Sequence, residues 1–346
     1  MSSAVPKVTI IIPHSNGESM LRRCLLSLKK TVYPDYAVII VDNASTDGSP
    51  EIMHREFPSV QIIRSDVNLG YAGGCNYGLK NTRSPYTIFL NNDAEVSPAW
   101  LTPLVEIMEK EPDIAAVQPK ILSIEQPSRF DYSGAAGGEI DIFGYPFARG
   151  RIFSLQETDN GQYNKVSDIF WATGAALMVR NSCMNQVGQF EEAFFAHMEE
   201  IDLCWRFHLA GFRVCAVPSA VVYHQTGGTL GEQQMRKMVL NHRNNLLMLL
   251  RNYSWPFLLV IFPVRLLMET ITWLSSLICG HWKRMVAVLL GFLSLFGYGK
   301  TIIEGRRSVK KIRVVPDRMI IRKMYIGSVA FAFFIRKKRV YRDLFI

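Results

Sequence analysis

The sequence predicts an α/β fold around a mainly parallel sheet. Short β-branched runs alternate with segments of helical apolar spacing, and acidic or carboxamide residues follow the strands, at the carboxyl ends where such sheets bind ligands. The scale is consistent: 346 residues at 49% apolar composition can bury a large core, which excludes wholesale disorder.

Val8-Thr-Ile-Ile-Ile12 is a strand stopped by Pro13, and Leu21, Leu25 and Leu28 space a helix that runs to Lys30. Ala37-Val-Ile-Ile-Val41 is a second buried strand, ended by Asp42-Asn-Ala-Ser-Thr-Asp-Gly-Ser49, with a short helix from Pro50 to Phe57. Gln61-Ile-Ile-Arg64 makes a third strand, Ala72 to Lys80 a helix, and Tyr86 to Leu90 a fourth strand that delivers Asn91-Asn92-Asp93. Glycines and aromatics between Ser133 and Gly150 suggest loops over a site. Trp171 to Val179 reads as a loop entering a strand, and Phe194 to Phe207 opens a helix with Glu199, Glu200 and Asp202. Arg213 to Val217 is another strand, followed by Val221-Val-Tyr-His224.

Oxygen ligands after a strand suit a hard divalent cation that holds phosphates, which makes Asn91-Asn92-Asp93 a candidate for nucleotide chemistry; an Asn/Asp turn would explain the same residues. Asp42 could meet a base or ribose at the sheet edge, or cap the next turn. Asn68-Leu-Gly-Tyr-Ala-Gly-Gly-Cys-Asn76 sets glycines ahead of a helix, where backbone N–H groups could approach phosphate or merely turn the chain. Glu199 and Glu200 are adjacent acids at a helix start, explained either by the helix dipole or by a proton-accepting role. His224 alone carries no assignment.

Taken together, Val8–Pro13, Val41–Ser49, Asn68–Asn76, Asn91–Asp93, Trp171-Ala-Thr-Gly174, Glu199–Arg206 and His224-Gln-Thr-Gly-Gly228 resemble family 2 glycosyltransferases, most of all the bacterial rhamnosyltransferase-like branch. The resemblance covers roughly residues 6–250 and implies a GT-A fold, Rossmann-like with flanking helices. It also implies a nucleotide-diphosphate sugar donor, Mg²⁺ or Mn²⁺, and inversion at the anomeric carbon. Carried over by motif, Glu200 is the general base, supported by Glu199 and Asp202. Asp93 holds the metal with Asn91 and His224. Pro13, Asp42, Asn68, Gly70, Gly73, Asn76, Asn92 and Arg236 surround the donor. Two departures stand out: Asn91 replaces the first acid of a full DxD, and Glu200 is one methylene longer than the usual Asp.

Residues 1–240 hold 20 Lys/Arg against 26 Asp/Glu, and residues 241–346 hold 19 against 4, which sets a domain division near 240. Trp255 to His281 is mostly apolar but interrupted by Pro256, Pro263, Arg265 and Glu269, and Met285 to Gly299 is a second run without charge. Either the pair crosses a bilayer as a hairpin or it lies in the interface, because a clean span needs about 20 apolar residues. His281-Trp-Lys-Arg284 between them would face outward in a hairpin, against the positive-inside tendency. Basic residues interleaved with apolar runs suit an anionic membrane better than nucleic acid, which is not expected as a partner.

Six scattered cysteines without metal or disulfide spacing fit a reducing compartment, and Met1 to Ser15 has no secretory-signal pattern. The expectation is therefore a glycosyltransferase on the cytoplasmic face of the inner membrane, adding one sugar such as rhamnose to a lipid-linked or cell-surface glycan, with homo-oligomerisation left open. A processive synthase lacks its Gln-x-x-Arg-Trp, and a nucleotidyltransferase would need a Gly-rich basic loop that His14-Ser-Asn-Gly17 does not supply. A non-catalytic nucleotide-binding scaffold is the rival from another class.

Overall fold

The computed structural model describes residues 5–225 and 232–346. Its strands are β1 (Val8–His14), β2 (Tyr36–Asn43), β3 (Gln61–Ser65), β4 (Tyr86–Leu90), β5 (Ala94–Val96), β6 (Ile114–Ser123), β7 (Gly138–Ile140), β8 (Pro146–Ala148), β9 (Arg151–Ile152), β10 (Leu155–Gln156), β11 (Ser167–Asp168), β12 (Ala176–Arg180) and β13 (Arg213–His224). The main sheet runs β11-β13-β6-β12-β4-β1-β2-β3, with β5 paired to β13. β3, β2, β1 and β4 are mutually parallel; β12 is inserted antiparallel between β4 and β6, and β13 lies parallel to β6. The sheet is thus mainly parallel, as expected from the alternation of elements.

Period-two patterning sorts side chains between the two faces of this sheet. In β1, Ile10 and Ile12 enter one core with Leu21 and Leu25 of α1 (Glu18–Leu28), while Ile11 enters the other with Ala72 and Leu79. α2 (Ser49–Glu56) follows β2, and α3 (Gly70–Leu79) packs on β1 and β2. Close approach there demands glycine: a Cβ on Gly78 would stand 2.4 Å from Ile11 Cγ2. α4 (Leu101–Lys110) covers β6 and β13, and α5 (Asn181–Val187) and α6 (Glu199–Leu209) cover the opposite face. The stretch 133–150, expected as loops, instead supplies β7 and β8 of a small antiparallel sheet that β9 and β10 complete.

The division near residue 240 falls inside α7 (Glu232–Asn252), a single helix. Its polar residues are bound into the first domain: Asn244 Nδ2 donates to the carbonyls of Phe194, Ala196 and His197 at 2.9, 2.8 and 2.8 Å, and Arg251 Nη1 meets Glu191 at 2.7 Å. The charge shift therefore falls within a helix that is bonded to the segment before it.

α8 (Trp255–Ile278) and α9 (Trp282–Ser294) form a helical pair, followed by α10 (Gly299–Ile312), α11 (Asp317–Ile321) and α12 (Val329–Phe334). Trp255–Ile278 and Trp282–Ile312 are long and apolar enough to cross a membrane by length and composition. The two charges that interrupt α8 face the protein. Arg265 pairs with Glu269 at 2.6 Å, reaches Tyr145 Oη at 2.8 Å and Asn245 Oδ1 at 3.1 Å, and Glu269 meets His242 at 2.9 Å. The outer face of α8 is an apolar stripe at helical spacing, Val260, Val264, Leu267, Ile271, Leu274 and Ile278, with exposures from 41% to 84%.

Candidate active site

Parallel pairing of β1, β2 and β4 brings their carboxyl ends to one edge. His14 stands in register with Asp42, and its ring bridges Ser49 Oγ at 2.7 Å and Asn92 Nδ2 at 2.8 Å. Asp42 is buried and accepts from Ser45 N at 2.9 Å through Oδ1, so it does cap its turn, with Oδ2 left 3.8 Å from Arg64.

β13 carries His224 to the same edge, paired with Ala94 directly after Asp93. His224 Nε2 lies 3.1 Å from Asp93 Oδ1 and 3.2 Å from Asn91 Nδ2. That buried Asp93 oxygen receives no well-directed hydrogen bond. On the other ring nitrogen, Asp131 accepts at 3.0 Å and fixes the imidazole orientation. Burial lowers the His224 pKa, but bonding to Asp131 and Asp93 outweighs it and lifts the value to about 10. A cation and a proton would compete for Nε2. A carboxylate oxygen, an imidazole nitrogen and a carboxamide side chain fit a divalent ion whose remaining positions go to phosphate and water. Among the described residues no group of three His, Cys, Asp or Glu forms a complete metal cage.

Glu199 and Glu200 occupy the first turn of α6, delivered by a strained approach: Phe195, His197 and Met198 have φ of 64°, 70° and 74°. The Asn244 clamp from α7 holds this segment, as does Phe195 O, which accepts from Ala72 N at 3.1 Å. Glu199 Oε2 and Glu200 Oε2 are buried without partners. The helix dipole favours their ionisation, but burial wins. It lifts Glu200 to about 7, opposed by backbone N–H groups including that of Gly174. Glu199 is pushed well above the ordinary range by burial and then by the charge of Glu200. Burial thus disfavours charge on both carboxylates, and Glu200, near 7, is poised to exchange a proton.

Both carboxylates line a cavity of about 930 Å³ whose lining also includes Asn91, Tyr132, Arg151 and Trp171. Lys237 of α7 and the turn Gly280–Arg284 between α8 and α9 belong to the same lining.

A family model described as glycosyl transferase family 2 matches residues 9–169. The chain carries a family 2 glycosyltransferase domain. The N-acetylglucosaminyl-diphospho-decaprenol L-rhamnosyltransferase of Mycobacterium tuberculosis is 26% identical over 269 residues, 73% of this chain and 86% of that protein. Two solved structures share the fold, which is GT-A as expected. GalNAc-T7 with UDP, GalNAc and Mn²⁺ superposes with a TM-score of 0.56 at 16% identity, covering 72% of this chain and 48% of that one. A mannosyltransferase from Pyrobaculum calidifontis with GDP-Man and Mn²⁺ gives 0.51 at 13% identity, covering 97% and 89%.

Within this glycosyltransferase domain the expected residues divide. Asp93, Asn91 and His224 come together, Asn92 and Pro13 sit on the same sheet edge, and Glu199 and Glu200 share the adjoining cavity. Asp202, expected beside the base, is fully buried and bound to Arg206 at 2.9 Å, Asn252 at 2.7 Å and Arg251 at 3.4 Å, a structural network that lies outside the cavity lining. Asn76 is bonded to Phe190 O at 2.9 Å and Glu192 at 3.0 Å.

Two of the glycines expected to cradle phosphate stand in close contact with neighbouring groups. A Cβ on Gly70, whose φ is 70°, would stand 2.4 Å from Phe195 O, and one on Gly73 would meet Leu69 at 2.8 Å. Asn68 spends its carbonyl on Gly70 N at 2.9 Å, and Arg236 stacks on the Phe195 ring at 4.0 Å. Gly227 and Gly228 lie outside the described residues. Asp131 and the α7 clamp Asn244 had no sequence signal, because both act only through residues 93 and 47 positions distant in the chain.

Proposed function

We propose that this glycosyltransferase domain performs an inverting, divalent-cation-dependent transfer of one sugar, rhamnose by likeness to the mycobacterial relative, from a nucleotide diphosphate to a lipid-linked acceptor. The observation that carries it is Glu200, a half-buried residue whose Oε2 is buried without a hydrogen-bond partner, set in one cavity with Asn91 beside the Asp93–His224 pair. Asp42 would receive the nucleotide base. Glu200 accepts the proton of the acceptor hydroxyl as that oxygen attacks the anomeric carbon, beside Glu199, whose burial disfavours a second charge. A divalent ion on Asp93, His224 and Asn91 would neutralise the departing diphosphate. Asp93→Asn is expected to reduce turnover about 100-fold and to raise the Mn²⁺ concentration needed for half activity, measured by nucleoside diphosphate release from a panel of nucleotide sugars. Wild-type turnover unaffected by chelator would remove the metal from the reading.

The domain also belongs on a membrane surface in this reading. A hairpin spanning about 30 Å of hydrocarbon would part the α8–α9 turn from the catalytic carboxylates, yet both line one cavity. The inward Arg265–Glu269 pair and the outward apolar stripe suit a helix lying in the interfacial plane. Full-length protein should float with vesicles containing phosphatidylglycerol and stay bound through a high-salt wash, because apolar burial is insensitive to screening. Release by salt alone would contradict an apolar mode of attachment.

A further inference from the structure

The cavity lining holds two chemically different groups: the carboxylates Glu199 and Glu200, and the cations Lys237 from α7 and Lys283 and Arg284 from the α8–α9 turn. Among the described residues, none of these three cations has a carboxylate within 4 Å. Other basic groups of the chain, such as Arg22 with Glu56 and Lys120 with Asp159, do have carboxylate partners. Beside these cations begins the apolar face of the helical pair, with Ile278 84% and Trp282 61% exposed immediately on either side of the turn. Unpaired cations between a proton-accepting carboxylate and a lipid-facing surface match a molecule with a sugar hydroxyl, a diphosphate and a hydrocarbon chain, in that order.

We propose that Lys237, Lys283 and Arg284 bind the diphosphate of the lipid-linked acceptor, with its hydrocarbon chain leaving along α8 and α9; this rests on the transferase reading above. A bilayer headgroup offers the same phosphate chemistry. The acceptor is favoured because these residues line the cavity that contains the base, instead of standing only on the outer surface. The cavity volume, about 930 Å³, is that of a site for a drug-sized ligand, so roughly one or two sugars fit between the attacking hydroxyl and the diphosphate. The reaction then belongs early in glycan assembly, after a step that loads the first sugar phosphate onto the lipid.

The test compares two acceptors in neutral detergent micelles: N-acetylglucosaminyl diphosphate on a short prenyl chain, and N-acetylglucosamine linked to an octyl chain without phosphate. The ratio of their kcat/KM values is expected to fall roughly tenfold or more in Lys237→Gln and in the double variant Lys283→Gln/Arg284→Gln, and to be largely kept in Arg284→Lys. Damage to the fold would lower both activities and leave the ratio unchanged, so an unchanged ratio overturns the assignment. A fall confined to vesicles with anionic lipid, absent in micelles, assigns the cations to headgroups and also overturns it. Wild-type protein that transfers sugar to neither acceptor defeats the transferase reading itself, a failure distinguishable from the other two.

Discussion

Glu200→Gln is expected to lower kcat for sugar transfer by about 10²–10⁴ while donor KM stays within about twofold of wild type. The amide keeps the shape of the side chain and cannot accept a proton. The group is suited to the task because burial lifts it to about 7, against the pull of surrounding backbone N–H groups. A base must be ionised to act, so wild-type kcat/KM should rise with pH through about 7 and level off above it. In the variant that limb should vanish. Thermal stability should change little, because the substitution removes no satisfied bond of Oε2. Wild-type turnover in the variant would move the proton-accepting role elsewhere.

Asp202→Ala is expected to act on the other axis, costing about 3–5 kcal/mol of stability by leaving buried Arg206 without its carboxylate and Arg251 with Glu191 alone. Burial alone would raise the Asp202 carboxyl; Arg251 and Arg206 overcome that and hold it below the ordinary carboxylate range. Its folded-state pKa is depressed, so its contribution is present above about pH 4 and is lost as pH falls through the folded value. Denaturant unfolding of wild type and variant should therefore differ most at neutral pH and converge in strong acid. Asp202→Asn should cost less, since an amide oxygen can still accept from Asn252 or Arg206. A variant with full stability and lost turnover would restore Asp202 to the catalytic set.

The contrast between two acids of one helix turn shows where sequence reading stops. Glu199, Glu200 and Asp202 all fall within four positions, and the charge pattern alone cannot separate them. α6 begins at Glu199, so residues 199 and 200 face the cavity while 202 turns inward to meet Arg251, an α7 residue 49 positions away. The glycines of Asn68–Asn76 carry a similar lesson. Glycine before a helix reports that something must come close, but not whether it is phosphate or, as at Gly70, the Phe195 carbonyl. His224 was legible only in company, and Asp131, which orients it, was not legible at all.

The sequence by itself determined the strand and helix alternation, the sheet edge bearing Asp42 and Asp93, and the family, because periodicity and motif order are properties of neighbouring residues. Tertiary structure alone set the α8–α9 turn of the basic, apolar C-terminal segment in the lining of the cavity that Glu199 and Glu200 share. The inward pairing of Arg265 with Glu269, the grip of Asn244 on the approach to Glu199, and the placement of the α8–α9 turn against the cavity all depend on contacts between distant parts of the chain. Such contacts are selected by the burial and pairing of groups that no local pattern can rank.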